Sequence, residues 1–386
     1  MMSNRHAKSL ETSRVFHVQK GCHPALDAGS PIVDIGRRCR IGVRHDKYDD
    51  NRPFLRPFWS ASSFSNEALT PKSKSIPMNI VFLDASTVGD LPNLESLKEF
   101  GEVTFYQTTS ADETADRIQN ADIVITNKVV LSRNLMEEAE NLKLICIAAT
   151  GMNNVELEVA KELGIEVKNV AGYASVSVAQ HTFAMLFNLL QPINYYDAYI
   201  KSGEYSKSPI FTHMERNFSE LRGKTFGIIG LGNIGRKVAA IAEAFGAEVV
   251  YYSTSGKNSD QPYRRLELEE LLSASDIVSI HAPLNERTEN LVGREQFSLM
   301  KPTSILINTG RGGIVHEAEL AKALDEGELA GAALDVFENE PIEPDSPLFD
   351  IQNPNNLVLT PHVAWASVEA RTELIEGVRE NIEEFL

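Results

Sequence analysis

The sequence predicts an α/β protein in which helices cover two parallel sheets. Three observations predict it. From Met78 onward, short apolar strand runs alternate with helix-length stretches, the pattern of parallel strands joined by crossover helices. The chain has 386 residues, enough for about two domains of roughly 150 residues each. Gly230, Gly232 and Gly235 form a G-x-G-x-x-G turn between a strand run and a helix run, and that turn opens a second series of alternating elements.

The elements follow in order. MNIVFLDAS (78–86) opens as a buried-strand run, and ADIVIT (121–126), LKLICIAA (142–149) and IEVKNV (165–170) continue the first series. VSVAQHTFAMLFNLL (176–190) reads as a long apolar helix. KTFGIIG (224–230) starts the second series, and RKVAAIAEAF is its first helix. The later strands are AEVVYYS (247–253), DIVSIHAP (276–283), SILINTG (304–310), GAALDVF (331–337) and NLVLTPH (356–362). About the last 20 residues read as one more helix with a polar face.

Charge excludes some functions. The net charge of −17 and pI near 5.1 argue against a nucleic-acid or membrane-surface binder. No apolar run approaches the ~20 residues of a membrane span. Residues 1–77 differ from the rest: they hold 13 Lys/Arg and 7 Asp/Glu, a net of +6, whereas residues 78–386 carry −23. They show neither helical nor strand periodicity, so no folded domain is expected there. A transit peptide and a Cys/His metal site using Cys22, His23, Cys39 and His45 are two readings of this segment. A third fits better: GCHPALDAGSP and the Arg-rich stretch after it resemble translated bacterial intergenic repeat, read from a start codon placed too early. Residues 78–386 are accordingly expected to carry the whole activity. Cys146, in an apolar run, reads as core packing. With no disulfide framework visible, a reducing cytoplasm is the expected compartment.

The chemistry-bearing residues sit in separate motifs. In the glycine turn, the first glycine makes the bend, the second lets backbone approach a pyrophosphate, and the third lets helix and strand pack closely. The helix start after it offers free N–H groups to phosphates. About 20 residues past the glycines, where an acid would hold a ribose 2′-OH, stands Ser253, followed by Thr254, Ser255 and Lys257. Small hydroxyls and a cation favour NADP(H); an open loop that tolerates NAD is the alternative. Arg311, in NTGRGG (308–313), ends a strand run, where α/β sheets bind ligands, and its fork geometry suits a carboxylate. A surface arginine after a turn is the plainer reading. Asp335 and Glu340 lie in DVFENEP (335–341), and His362 lies in LTPHVAWAS (359–367). An imidazole exchanges protons near neutral pH, and a carboxylate beside it orients it and favours its charged form. Loop acids and strand-end histidines are often structural, so the weight here comes from their joint occurrence. His281, His181 and His316 are weaker candidates; His281 reads as a loop-positioning residue beside the cofactor. The set as a whole points to hydride transfer between a nicotinamide and a 2-hydroxy or 2-keto acid. No metal is called for.

Five motifs in order, ATGMNNVEL (149–157), GLGNIG (230–235), HAPLNERT (281–288), NTGRGG and DVFENEP with PHVAWAS, resemble those of the D-isomer-specific 2-hydroxyacid dehydrogenases. The resemblance covers nearly all of residues 78–386. It implies that Arg311 binds the substrate carboxylate and polarises the carbonyl, that His362 is the acid/base, and that Glu340 pairs with it. It puts Gly230, Gly232, Asn233, Ile234, Gly235, Ser253, Thr254, His281, Ala282, Pro283, Thr288, Thr309 and Asp335 on the cofactor. Thr150, Gly151 and Trp365 join Arg311 on the substrate. It further implies Rossmann-like or flavodoxin-like domains and a homodimer. The cofactor domain, 177–360, would be inserted into a substrate domain made of 78–176 and the returning segment 361–386. GYASVSVAQHT (172–182) and AWAS (364–367) look most like the glycerate dehydrogenase, or hydroxypyruvate reductase, branch. Glyoxylate-type and phosphoglycerate-type dehydrogenases are alternatives, although Leu144–Glu156 has no Arg or Lys for a phosphate. Formate dehydrogenases resemble a variant with Gln where this chain has Glu340. A non-catalytic, nucleotide-sensing corepressor of the same fold is the rival from another class. Two features depart from the family pattern: Ser253, and the extension 1–77.

Overall fold

The computed structural model describes residues 78–257 and 260–386. The readings of the extension, including those on Cys22, His23, Cys39 and His45, lie outside the described residues.

The first sheet has five strands: β1 (Met78–Phe82), β2 (Gly101–Phe105), β3 (Ile123–Thr126), β4 (Leu144–Ile147) and β5 (Glu166–Asn169). Two short 3-10 segments (Ala85–Thr87 and Leu94–Glu99) lead from β1 to β2, and helices α1 (Ala111–Ile118), α2 (Arg133–Glu138) and α3 (Leu157–Glu162) join the strands from β2 to β5 in turn. Their order is β2-β1-β3-β4-β5, and every pairing is parallel. A parallel sheet covered on both faces buries its central strands completely, and every residue of β3 and β4 is buried. Cys146 lies in β4, where burial pushes its thiol up to about 12. At neutral pH it is an inert thiol in the core. The edge strand β2 alternates between exposed and half-buried positions. GEVTF therefore lacks the continuous apolar run that marks the other strands, and its pattern alone does not announce a strand.

Helix α4 (Ser175–Leu190) and helix α5 (Ile193–Lys201) lead to the second sheet. The sheet starts with β6 (Thr225–Ile229), helix α6 (Asn233–Ala244), β7 (Glu248–Tyr252) and the two-residue β8 (Arg264–Arg265). It continues through α7 (Leu268–Ala274), β9 (Ile277–Ile280), α8 (Arg294–Leu299), β10 (Ile305–Asn308), α9 (Glu317–Asp325), β11 (Gly331–Leu334) and β12 (Leu357–Leu359). The spatial order is β12-β11-β10-β9-β6-β7-β8, again all parallel. The order reverses between β6 and β9, which opens a crevice at the carboxyl ends of these strands.

Two features join the sheets. Val178 of α4 packs in the first core, while Ala179, Phe183, Met185 and Leu186 of the same helix pack in the second. The last helix, α10 (Val368–Phe385), returns to the first sheet and buries Leu374, Ile375, Val378 and Ile382 there. Its Gly377 faces Val170 so closely that a Cβ would lie 2.5 Å from a valine methyl. Among the described residues, no helix is long and apolar enough to cross a membrane.

Candidate active site

The loops leaving β6, β7, β9, β10, β11 and β12 carry most of the residues singled out in the sequence. At the end of β6, Gly230 has φ +93°, a conformation that favours glycine. A Cβ there would stand 2.8 Å from the Ala282 nitrogen. At Gly235 a Cβ would meet the Gly230 carbonyl oxygen at 2.3 Å, whereas Gly232 faces open space. The turn is thus packed where strand and helix meet and open where α6 begins. That shape fits a pyrophosphate laid against the helix N-terminus.

The second group converges from three loops. His362 follows β12 with φ +53°, an unusual conformation for a residue with a side chain. Its own N–H donates to the carbonyls of Asp335 (2.8 Å) and Thr360 (3.0 Å), which hold it there. The imidazole Nδ1 lies 2.7 Å from Glu340 Oε2, and Glu340 Oε1 accepts from the Phe337 N–H at 3.1 Å. Burial alone would raise the Glu340 carboxyl. The hydrogen bond and charge of His362 outweigh it and hold the carboxyl below the ordinary glutamate value. Glu340 is therefore an anion at neutral pH, and Nε2 is the ring nitrogen left for other partners. Arg311 donates from one terminal nitrogen to the Gly310 carbonyl at 2.8 Å. Its other terminal nitrogen is so near Gly151 that a Cβ on that residue would lie 2.8 Å away. Arg311, Glu340 and His362 line one cavity of about 450 Å³, together with Asn153 and Glu338 among others.

Carboxylates hold these loops from behind. Asp335 is 1% exposed. Its Oδ1 accepts from the Thr360 hydroxyl (2.6 Å) and the Val363 N–H (2.9 Å), and its Oδ2 accepts from the Ala364 N–H (2.9 Å). His181 Nε2 is 3.1 Å from the Thr360 hydroxyl, which ties α4 to the same corner. Glu317 and Glu338 clasp each other's backbone: the N–H of Glu317 donates to Glu338 Oε1 (2.7 Å), and that of Glu338 to Glu317 Oε1 (2.6 Å). In the first sheet, the Asp84 carboxylate accepts from the N–H groups of Asn127 (2.9 Å) and Lys128 (2.6 Å). Burial first, and then the charge of Arg311, lower the Lys128 ammonium from its ordinary value, against the pull of Glu340 and Asp84. Lys128 is thus a second cation coupled to Arg311 and Glu340. Neither Lys128 nor the three anchoring carboxylates Asp84, Glu317 and Glu338 stood out in the sequence: the first three lie outside the motifs, and nothing in DVFENEP marks Glu338 as a clasp for Glu317. The tertiary contact is the only signal.

The other expected site residues divide. Gly230, Gly232, Ser253, Thr254, His281 and Pro283 line a second cavity of about 360 Å³. His281 there is half-buried, and desolvation lowers its imidazole to about 3. It stays neutral between the Ser279 hydroxyl (2.9 Å) and the Thr309 hydroxyl (3.2 Å). Ala282 is buried against Gly230, and Ile234 packs against both cores. Asn233, at the start of α6, accepts from Arg236 at 2.5 Å. Thr288 is fully buried and ties its own loop, donating to the Pro283 carbonyl at 2.7 Å. Thr150 donates to the Val170 carbonyl at 3.0 Å. Trp365 meets Tyr173 edge-on, with ring centroids 6.3 Å apart. These last three do not line the Arg311 cavity.

Comparison with known proteins agrees with this geometry. Residues 183–364 match the NAD binding domain of the D-isomer specific 2-hydroxyacid dehydrogenases. A hydroxypyruvate reductase of Blautia hydrogenotrophica is 37% identical over 317 residues, covering 80% of this chain and 97% of its own. A glycerate dehydrogenase of Methylorubrum extorquens is 36% identical over 311 residues, covering 80% and 96%. Among solved structures, an NADPH-dependent glyoxylate/hydroxypyruvate reductase of Sinorhizobium meliloti, in complex with NADP and malonate, superimposes with a TM-score of 0.66. It is 28% identical and covers 80% of this chain and 93% of its own. The chain belongs to the D-isomer specific 2-hydroxyacid dehydrogenases. It is an NAD(P)-dependent oxidoreductase acting on the CH–OH group of a small 2-hydroxy acid, or on the matching 2-keto acid.

Proposed function

We propose that the protein interconverts hydroxypyruvate and D-glycerate, with NADP(H) as the preferred cofactor. The observation that carries this reading is the 2.7 Å pairing of Glu340 with His362 Nδ1 on the wall of the cavity that Arg311 also lines. When bound, the nicotinamide supplies or takes up the hydride. Arg311 clamps the carboxylate of the keto acid and draws charge from the carbonyl beside it. Nε2 of His362, protonated, gives its proton to the oxygen as negative charge develops there. In the reverse direction the same nitrogen receives the hydroxyl proton. Glu340 holds the ring in place and, being ionised, favours imidazolium. Asn153 and Lys128 come from loops of the first sheet, so the substrate would sit between the two sheets. Residues 78–176 with 361–386 then form the substrate domain, and 177–360 form the cofactor domain.

Hydroxypyruvate is favoured over a phosphorylated acid because Glu289 and Glu338 line the cavity, and a phosphate dianion would meet their charge. A homodimer is supported by the apolar arm around α5, where Ile193, Phe211 and Met214 are 62, 89 and 73% exposed. Cytoplasmic residence keeps Cys146 reduced. The deciding experiment is steady-state kinetics on hydroxypyruvate, glyoxylate, pyruvate and phosphohydroxypyruvate, each with NADH and NADPH. Highest kcat/KM on hydroxypyruvate with NADPH is the expected result, and a higher value on phosphohydroxypyruvate overturns the substrate assignment.

A further inference from the structure

We propose that Arg287, on the loop after β9, selects the cofactor by pairing its guanidinium with a phosphate on the 2′-oxygen of the adenosine ribose. This rests on the NADP(H) preference proposed above and assigns it to a residue outside the β7 turn.

Backbone contacts bring the two walls together. The Gly230 N–H donates to the Tyr252 carbonyl at 3.0 Å, and the His281 N–H donates to the Ile229 carbonyl at 2.8 Å. The turns after β7 and β9 therefore stand on either side of the glycine turn. The cavity between them, about 360 Å³, has Ser253, Thr254 and Ser255 on one wall and Asn285 and Arg287 on the other. Among the described residues, no carboxylate lines it. An unphosphorylated ribose thus finds no acidic acceptor for its 2′-hydroxyl among the lining residues.

The hydroxyls opposite Arg287 are partly committed. Ser253 is buried, and its hydroxyl donates to the Lys257 carbonyl at 2.5 Å, while the Lys257 N–H donates to the Ser255 hydroxyl at 3.2 Å. The turn closes on itself, and Lys257 does not line the cavity. With His281 neutral, Arg287 is the one cation among the described residues that line the cavity. Its position is set by its neighbours. The Asn285 N–H donates to the Thr288 hydroxyl at 2.8 Å, and the Arg287 N–H donates to the Asn285 side-chain oxygen at 3.0 Å. The Arg287 side chain itself is exposed and has no ion pair among the described residues. An arginine held at its backbone and free at its guanidinium, facing hydroxyls across an acid-free cavity, is a receptor for a phosphate dianion.

The test uses the full chain and its Arg287→Ala, Arg287→Lys and Lys257→Ala variants. NADPH and NADH binding is followed by nicotinamide fluorescence, and binding of 2′,5′-ADP and 5′-ADP by calorimetry. Arg287→Ala should weaken NADPH and 2′,5′-ADP about 10- to 100-fold and leave NADH and 5′-ADP within about twofold. Arg287→Lys should fall between, and Lys257→Ala should keep the parent's preference. A parent that binds NADH more tightly than NADPH overturns both the preference and this assignment. A parent that prefers NADPH, with an Arg287→Ala variant that keeps the ratio or loses both cofactors equally, overturns the assignment alone. Loss of the preference in Lys257→Ala does the same.

Discussion

The two cavities of this protein are built differently. Around Arg311 and His362, buried carboxylates fasten the loops from behind: Asp335 holds residues 360–364, and Glu317 clasps Glu338. Around Ser253 and Arg287, the turns are closed mainly by their own short-range hydrogen bonds, and the charged group stands free. The difference follows from what each cavity is proposed to do. Proton transfer needs donor and acceptor held to a fraction of an ångström. Recognition of a flexible, solvated phosphate needs charge of the right sign and tolerates a mobile side chain. On the proposed roles, rigidity is concentrated at the chemistry, and selectivity is left to residues that can change without disturbing the core.

The largest effects should therefore come from the fastened cavity. His362→Ala is expected to lower kcat for keto-acid reduction about 10²- to 10⁴-fold while the cofactor dissociation constant stays near the parent value. If fluorescence titration instead shows cofactor binding collapsing along with kcat, the histidine serves the fold. Arg311→Ala should follow, with kcat/KM down by about 10²- to 10³-fold. Arg311→Lys should recover only part, because an ammonium cannot reproduce the two-pronged contact. Full activity in the lysine variant would show that charge alone is required and would remove the carboxylate clamp from the mechanism.

Much of this was legible in the sequence, for a physical reason. Buried parallel strands must be continuously apolar, so β3 and β4 announce themselves. The glycine turn tolerates no other residue at Gly230 or Gly235, so it survives as a pattern. Arg311, Glu340 and His362 lie in short motifs beside strand ends. What could not be read is what depends on contacts between distant segments. GEVTF is half solvated and lacks an apolar run. Lys128 reaches Arg311 and Glu340 only because Asp84, more than 40 residues earlier, holds its loop. Asp335 was read as a cofactor contact, and the motif gives no sign that both of its oxygens are occupied by residues 360–364.

Asp335 provides the next test. Removing a buried acceptor leaves the N–H groups of Val363 and Ala364 without partners, at a cost of about 1–3 kcal/mol for a group left unsatisfied. Asp335→Ala should therefore lower the melting temperature by roughly 4–8 °C for about 2 kcal/mol lost, and activity should fall with it, because His362 loses its seat. Thermal unfolding followed by circular dichroism measures the first, and kcat the second. A variant that melts like the parent but no longer binds cofactor would show that Asp335 acts on the nicotinamide and that its bonds to the 360–364 loop are incidental.

The smallest expected effect, a shift of the pH profile, is at Glu340→Gln. The Glu340 carboxyl is held below its ordinary value by the bond to His362, despite burial. A depressed acid contributes its stabilisation fully above the unfolded value, near 4.5, and loses it as pH falls through the folded value. The parent should therefore lose stability on acidification through this window, and the variant should lose less. Thermal melts of the parent and of Glu340→Gln, followed from pH 7 down to pH 3, measure the difference. Melting temperatures that fall in parallel on acidification would mean that the 2.7 Å contact adds no stability to the ionised carboxylate, and Glu340 would then be a loop residue that happens to touch the histidine.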